Sequence, residues 1–253
     1  MELFHQVYGE GKPLIILHGL FGSSDNWHSL AQRFGSFFQV HCLDLRNHGR
    51  SPWNEEHTYD SMATDVAEFV SVHEISTPVV VGHSMGGKVA MRLAQRYPKL
   101  IEKLVVADMG IKAYPMHHQH ILAGIHALDL SKLRSRSEAE NLLCKHIEAP
   151  GVRQFLLKNV YWVEKGRLGW RMNVEVLERE MPEILAALPQ TICWTPTLFL
   201  RGELSNYILP EDEASLENLF PDSTVETLPN AGHWLHAEQP DLFFEAVMGF
   251  CLR

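Results

Sequence analysis

The chain has 253 residues, of which 45% are hydrophobic and 21% charged, so it is long enough for one large α/β domain with a sizeable insertion. Its formal net charge of −9 argues against a nucleic acid partner, because a phosphate-binding surface needs an excess of lysine and arginine. No apolar run approaches the ~20 residues of a membrane span, so we expect no membrane association. No signal peptide is visible and the four cysteines form no C-x-x-C pair, so we expect a cytoplasmic location.

The first part of the chain alternates apolar runs with helical patterns. The runs predict buried strands at residues 14–17, 37–43, 79–81 and 104–107. Strands that alternate with helices predict parallel βαβ units in an open sheet, which builds its sites at the carboxyl ends of the strands. Four residues that could belong to a functional site fall at or near such ends: Gly19, Asp44, Ser84 and Asp108.

The pattern changes near residue 111. Residues 111–195 contain no comparable buried-strand run, and they predict several helices with a small hairpin formed by residues 161–163 and 168–170. We interpret this segment as a helical cap inserted into a core made of residues 1–110 and 196–253. The sheet resumes at residues 197–200, and a helix ending near Phe220, a strand at 224–228 and a helix at 241–251 follow.

A serine flanked by glycines, Gly82-x-Ser84-x-Gly86, lies between a predicted strand at 79–81 and a predicted helix at 88–94. This is the pattern of a nucleophile elbow, a sharp strand-to-helix turn that exposes the serine hydroxyl. Small neighbours are needed because other backbone passes close to the turn. Ser84 is therefore the candidate nucleophile.

A serine hydroxyl is a weak nucleophile and needs a positioned base. The candidate is His233, which lies in the loop directly after the last predicted strand, although the chain has 15 histidines. His117, His118 and His120 could suggest a metal, but they have no nearby carboxylate or thiolate partners in the sequence. We expect no metal and no cofactor.

Four motifs together resemble the α/β-hydrolase superfamily: residues 18–22 (HGLFG), 44–51 (DLRNHGRS), 82–88 (GHSMGGK) and 231–234 (AGHW). The first three are most similar to those of the YbfF-type esterases, and the resemblance covers nearly the whole chain. It implies the α/β-hydrolase fold, with a mostly parallel central sheet flanked by helices and an inserted helical cap. It also implies a lidded serine esterase that acts on acyl esters, with acyl-CoA thioesters among the possible substrates.

The acid of the expected Ser-His-acid triad has three candidates. Most of the superfamily takes it from the loop after the strand that here is 197–200, but in this chain Ser205 stands where that aspartate is expected. Asp108, at the end of the strand that follows the elbow helix, matches the arrangement of the YbfF-type esterases. We expect Asp108 to be the acid, with Glu203 and then Asp212 as alternatives.

A tetrahedral intermediate needs donors for its oxyanion. The expected donors are the backbone N–H groups of Met85, directly after the nucleophile, and Leu20, in the loop after the first predicted strand. Phe21 and Trp162 are the expected substrate-binding residues, although ordinary core packing is an alternative for Leu20 and Phe21. We expect the cap, for instance near Trp162 or Ile125, to set the preferred acyl chain length.

Two classes of function remain open at this point. The leading prediction is a serine esterase or thioesterase that acts through an acyl-enzyme intermediate on a small acyl ester or thioester, as a monomer or small homo-oligomer. A carbon–carbon bond hydrolase and a cofactor-free haloperoxidase reuse the same triad on this fold. The alternative from another class is a hydrolase-derived receptor for a small molecule, which the intact serine, histidine and acid candidates disfavour.

Overall fold

The computed structural model describes residues 1–253, and a seven-stranded sheet organises it. The strands, in chain order, are β1 (His5–Tyr8), β2 (Lys12–Leu17), β3 (Phe38–Leu43), β4 (Val79–His83), β5 (Lys103–Ala107), β8 (Thr197–Gly202) and β9 (Ser223–Leu228). Their spatial order is β1-β3-β2-β4-β5-β8-β9, and every pairing is parallel except that of β1 with β3. The predicted mostly parallel sheet is therefore confirmed.

Helices cover both faces of this sheet. They are α1 (His28–Phe34), α2 (Tyr59–Val72), α3 (Met85–Arg96), α9 (Glu213–Leu219), α10 (Leu235–Glu238) and α11 (Pro240–Cys251). Alternate residues of each strand serve opposite faces: in β2, Ile15 and Leu17 pack into the core under α2 and α3, whereas Leu14 and Ile16 pack into the core under α1 and α11. None of the helices combines the length and the apolar character needed to cross a bilayer.

Residues 111–195 add no strand to the central sheet. They contain α4 (Gln119–His126), α5 (Arg136–Leu143), α6 (Pro150–Leu157), the hairpin β6 (Val160–Glu164) and β7 (Arg167–Trp170), α7 (Val174–Arg179) and α8 (Met181–Leu185). The segment leaves after β5 and returns to its neighbour β8. Its two ends are joined by backbone bonds, from Tyr114 N–H to the Leu185 carbonyl and from Leu188 N–H to the Ile111 carbonyl, each 2.9 Å long.

A buried lysine underlies this junction. Lys88 of α3 is completely buried, and its ammonium donates hydrogen bonds to the carbonyls of Lys112, at 3.0 Å, and of Ala186. The Nζ atom lies 5.6 Å and 4.9 Å from the ring centroids of Tyr59 and Tyr114, and no carboxylate pairs with it. Burial lowers the pKa of Lys88 to about 8, because the charged form is poorly solvated there. Lys88 thus ties α3 to both ends of the inserted segment.

Candidate active site

Ser84 stands at a strained turn between β4 and α3. Its backbone has φ 53° and ψ −121°, a combination that residues other than glycine rarely adopt. The flanking glycines are sterically required, because a Cβ on Gly82 would lie 2.2 Å from the Gly86 carbonyl oxygen and one on Gly86 would lie 2.4 Å from the Leu17 carbonyl oxygen. Strands β2 and β4 and helix α3 thus meet at this turn, and its strain is held by the surrounding packing.

The structure brings Ser84, His233 and Asp108 together. Ser84 Oγ lies 2.9 Å from His233 Nε2, and His233 Nδ1 lies 2.7 Å from Asp108 Oδ2. Asp108 is completely buried at the end of β5, where the Gly202 N–H donates to Oδ1 at 3.1 Å and the Ser205 hydroxyl donates to Oδ2. Since the carboxylate accepts the Nδ1 proton, Nε2 is left free to accept the proton of Ser84.

The other two acid candidates lie elsewhere. Glu203 is exposed, and its Oε2 accepts the backbone N–H of Asn230 at 2.8 Å. Asp212 forms an ion pair with Lys112. Neither contacts His233, and Ser205, which occupies the position of the usual acid, serves the Asp108 carboxylate instead.

The backbone N–H groups of Leu20 and Met85 donate to no protein acceptor. Met85 is the first residue of α3, where helical N–H groups lack intrahelical partners and the helix dipole is positive. The N–H of Phe21, by contrast, donates to His48 Nε2 at 3.2 Å and is therefore occupied. A Cβ on Gly19 would lie 3.2 Å from Ser84 Cβ, so this loop passes directly beside the candidate nucleophile.

Buried histidines support the turn. His83 Nε2 donates to the His233 carbonyl at 2.8 Å, and His48 Nδ1 donates to the Arg46 carbonyl at 2.9 Å. Burial lowers the pKa of His48 to about 3 and that of His83 well below its usual range. Both rings are therefore neutral at physiological pH, with tautomers set by these carbonyls, and they fix the loops around Ser84 without adding charge.

A cavity of about 630 Å³ opens over Ser84 and His233. Its lining is largely apolar, and it includes the side chains of Leu20, Phe21, Ile121, Val152, Phe155 and Leu156. No lysine or arginine lines it, and Glu238 is its one acidic residue. Phe21, the expected substrate-binding residue, is among the residues that line the cavity, and α4 and α6 of the inserted segment form part of the wall.

The structure does not bring Trp162 or Ile125 into this cavity. Trp162 lies on β6, which runs outward from the buried Val160, and it is 51% exposed. Ile125 is buried in a hydrophobic cluster that the inserted segment shares with the sheet, one helical turn beyond the lining residue Ile121. Hydrophobic character alone indicated neither which face of α4 meets the cavity nor which way the hairpin points. Ile121, rather than Trp162, lines the cavity.

The histidines at 117, 118 and 120 lie at the same cavity but are not arranged as metal ligands. His117 Nδ1 donates to the Pro115 carbonyl at 2.7 Å, and its Nε2 accepts the hydroxyl of Tyr207. Burial lowers the pKa of His118 to about 3, so that ring is neutral. The arrangement of Ser84 and His233 can instead transfer a proton from the serine hydroxyl to the imidazole, with the free N–H groups of Leu20 and Met85 nearby.

Comparisons with known proteins show the family to which the chain belongs. The alpha/beta hydrolase family matches residues 14–246 of the chain. The Danio rerio protein named sn-1-specific diacylglycerol lipase ABHD11 is 39% identical, covering 96% of this chain and 79% of its own. Esterase YbfF of Escherichia coli is 35% identical over 93% of this chain and 91% of its own. A solved structure titled "Marine microorganism esterase" is 40% identical with a TM-score of 0.95, covering 98% of this chain and 99% of its own.

Proposed function

Since the chain belongs to the alpha/beta hydrolase family and is a carboxylic ester hydrolase, we propose that Ser84, His233 and Asp108 are its catalytic triad. The predictions of the family and of the likeness to YbfF-type esterases are both confirmed. The observation that carries the triad is the continuous line of hydrogen bonds from Ser84 Oγ through His233 to Asp108, at 2.9 and 2.7 Å.

In this mechanism His233 Nε2 takes the proton of Ser84 as Oγ attacks the carbonyl carbon of the ester. The buried Asp108 carboxylate pairs with the imidazolium that forms. The N–H groups of Leu20 and Met85 receive the developing oxyanion, and each such donor typically lowers the barrier by roughly 3–4 kcal/mol.

The tetrahedral intermediate then collapses, and the C–O bond to the leaving group breaks. His233 returns its proton to the departing alcohol, leaving the acyl group on Ser84. A water molecule, deprotonated by the same Nε2, attacks the acyl carbon. The bond to Ser84 Oγ then breaks as His233 gives that proton to Oγ, and the carboxylic acid is released with the serine restored. The same steps cleave a thioester, so acyl-CoA thioesters are a second substrate class of this proposal.

The cavity supports an uncharged, apolar acyl group. Its wall has no cationic side chain to pair with a substrate anion, and it is large enough for an extended hydrocarbon chain. Ile121 of α4 and Phe155 of α6 belong to the inserted segment and line this cavity. We infer that residues 111–195 act as a cap that shapes the acyl site, and that the enzyme, with four free cysteines, works in the cytoplasm.

Ser84→Ala tests the proposal. We expect kcat for p-nitrophenyl esters to fall on the order of a millionfold, as when the nucleophile of a serine protease is removed. Labelling by a fluorophosphonate probe should disappear as well. Ser71→Ala, an exposed serine near the end of α2, is the matched control and should behave like the wild type. A folded Ser84→Ala protein within tenfold of wild-type turnover would show that another residue is the nucleophile.

A further inference from the structure

The loop after β8 brings no acid to the histidine, but it places an aromatic ring against it. The rings of Tyr207 and His233 are stacked, with centroids 3.8 Å apart and planes 13° from parallel. His83 is the other ring close to His233, and it is tilted by 41° at 4.9 Å. Tyr207 therefore covers one face of the imidazole, whereas Ser84 and Asp108 take up its two nitrogens.

Tyr207 is held in this position without help from His233. Its hydroxyl donates to His117 Nε2, its carbonyl accepts the hydroxyl of Tyr114 at 2.8 Å, and its N–H donates to Ser205 Oγ at 3.2 Å. Tyr114 also packs against the ring at 4.9 Å. Since three contacts with Tyr114 and His117 and one within its own loop fix the tyrosine, the parallel stack is a built feature of the site.

The groups that face His233 from the surrounding elements are neutral rings and two carboxylates, Asp108 and Glu238. Burial lowers the pKa of His118 and of His236 to about 3, and that of His83 well below its usual range, so these three rings are neutral at physiological pH. Asp108 supplies the negative charge in the plane of the imidazole. Glu238, the one acidic residue of the cavity lining, accepts the backbone N–H of Gly232. The group stacked directly on the face of the imidazole is the tyrosine ring, whose negative face can interact with a positive imidazole.

We propose that Tyr207 is a positioning residue whose ring face stabilises the imidazolium form of His233. The inference rests on the proposed function, in which His233 becomes positive when it takes the proton of Ser84. A cation over an aromatic face is favoured by the ring quadrupole, and the effect grows where water is excluded. The ring also limits rotation of the imidazole, so that Nε2 stays directed at Ser84 Oγ.

The test is the pH dependence of kcat/KM between pH 4.5 and 9. The acidic limb of this profile reports the protonation of His233 in the free enzyme. For Tyr207→Leu we expect the limb to move to lower pH by roughly half a unit to one unit, and the plateau to fall about three- to tenfold. Both changes have the same cause. Without the ring, the imidazolium is less stable in the free enzyme, which lowers the pH of the limb, and less stable in the transition state, which lowers the plateau.

Two further variants separate the ring face from packing. Tyr207→Phe keeps the ring and loses the bond to His117, so its limb should stay within about 0.2 unit of the wild type. Replacement of Tyr207 by pentafluorophenylalanine keeps the shape but reverses the ring quadrupole, and it should shift the limb as Tyr207→Leu does. Circular dichroism and thermal melting establish that each variant is folded.

The outcomes are distinct. A limb that stays in place or moves to higher pH in Tyr207→Leu and in the pentafluorophenylalanine variant would overturn the inference, since it would mean that the ring only shields His233 from water. A wild-type protein that neither hydrolyses esters nor reacts with a fluorophosphonate would instead contradict the proposed function itself, and the inference with it.

Discussion

Asp108→Asn would replace a hydrogen-bond acceptor of the site by a donor, with little change in the shape of the side chain. The carboxylate accepts three hydrogen bonds, from His233 Nδ1, the Ser205 hydroxyl and the Gly202 N–H. An amide has one accepting oxygen, so its NH₂ group must face a donor on one side. If it faces His233, Nδ1 has to accept, Nε2 carries the proton, and the ring cannot take the proton of Ser84.

The expected loss is large. When a triad aspartate becomes asparagine in a serine protease, kcat falls by about 10⁴ because the histidine adopts the wrong tautomer. A factor of 10⁴ corresponds to about 5.5 kcal/mol of transition-state stabilisation. Asp108 is completely buried, so no water can replace the missing charge opposite the imidazolium. We therefore expect Asp108→Asn to show the same loss of about 10⁴.

The assay is kcat/KM for a p-nitrophenyl ester at pH 8, with circular dichroism to verify folding. Glu203→Gln is the matched control, because Glu203 is exposed and holds only the Asn230 N–H. It should lie within about threefold of the wild type, as for a surface change. If Glu203→Gln were the inactive variant and Asp108→Asn stayed near wild type, the assignment of the acid would be refuted.

Two other predictions concern the cavity and the buried lysine. Ile121→Trp should shift the kcat/KM ratio of short to long p-nitrophenyl esters toward short chains, whereas Trp162→Ala should leave the ratio unchanged; an unchanged ratio in Ile121→Trp would argue against the cavity as the acyl site. The native pKa of Lys88, about 8, lies below the 10.5 of the unfolded chain, so the unfolded state binds more protons and Lys88 raises stability as pH increases from about 8 to 10.5. Lys88→Met should remove about 2 kcal/mol of the wild-type stability gain between pH 7 and 9.5, measured by urea unfolding, and identical pH slopes in the two proteins would contradict the burial of a charged lysine.

The sequence predicts best those parts of the site whose geometry is local. The elbow is predictable because its strand, its glycines and its helix are contiguous in the chain. The backbone requirement of each can therefore be recognised directly from the sequence. Positions after predicted strands bring His233, Asp108 and Glu203 to the same edge of the sheet, because parallel strands share their carboxyl ends. The preference for Asp108 over Glu203 comes from the resemblance to YbfF-type esterases, and the structure places Asp108 against His233.

The features that the sequence did not predict depend on contacts between distant segments. Strand β1 has only four residues, none of them fully buried, and it pairs antiparallel at the sheet edge, so it carries almost no hydrophobic signal. The sequence is compatible both with Asn206 and Tyr207 reaching the cleft and with their packing on the surface, and the path of the loop after β8 is what stacks Tyr207 on His233. Trp162 was assigned to the site on composition, whereas the direction of its hairpin decides where it lies.

The way in which residues 111–195 are joined to the sheet has an evolutionary consequence. Because Tyr114 and Leu188 bond the outgoing chain to the returning chain, the segment is closed at its base, and the adjacent strands β5 and β8 pair regardless of what lies between. Insertions, deletions or exchange of whole helices beyond this closure leave Asp108 and the loop of Ser205 in register. With the roles proposed above for the cap and the triad, substrate range and chemistry can therefore diversify at different rates within one gene, with selection acting on the segment while the triad residues stay in place.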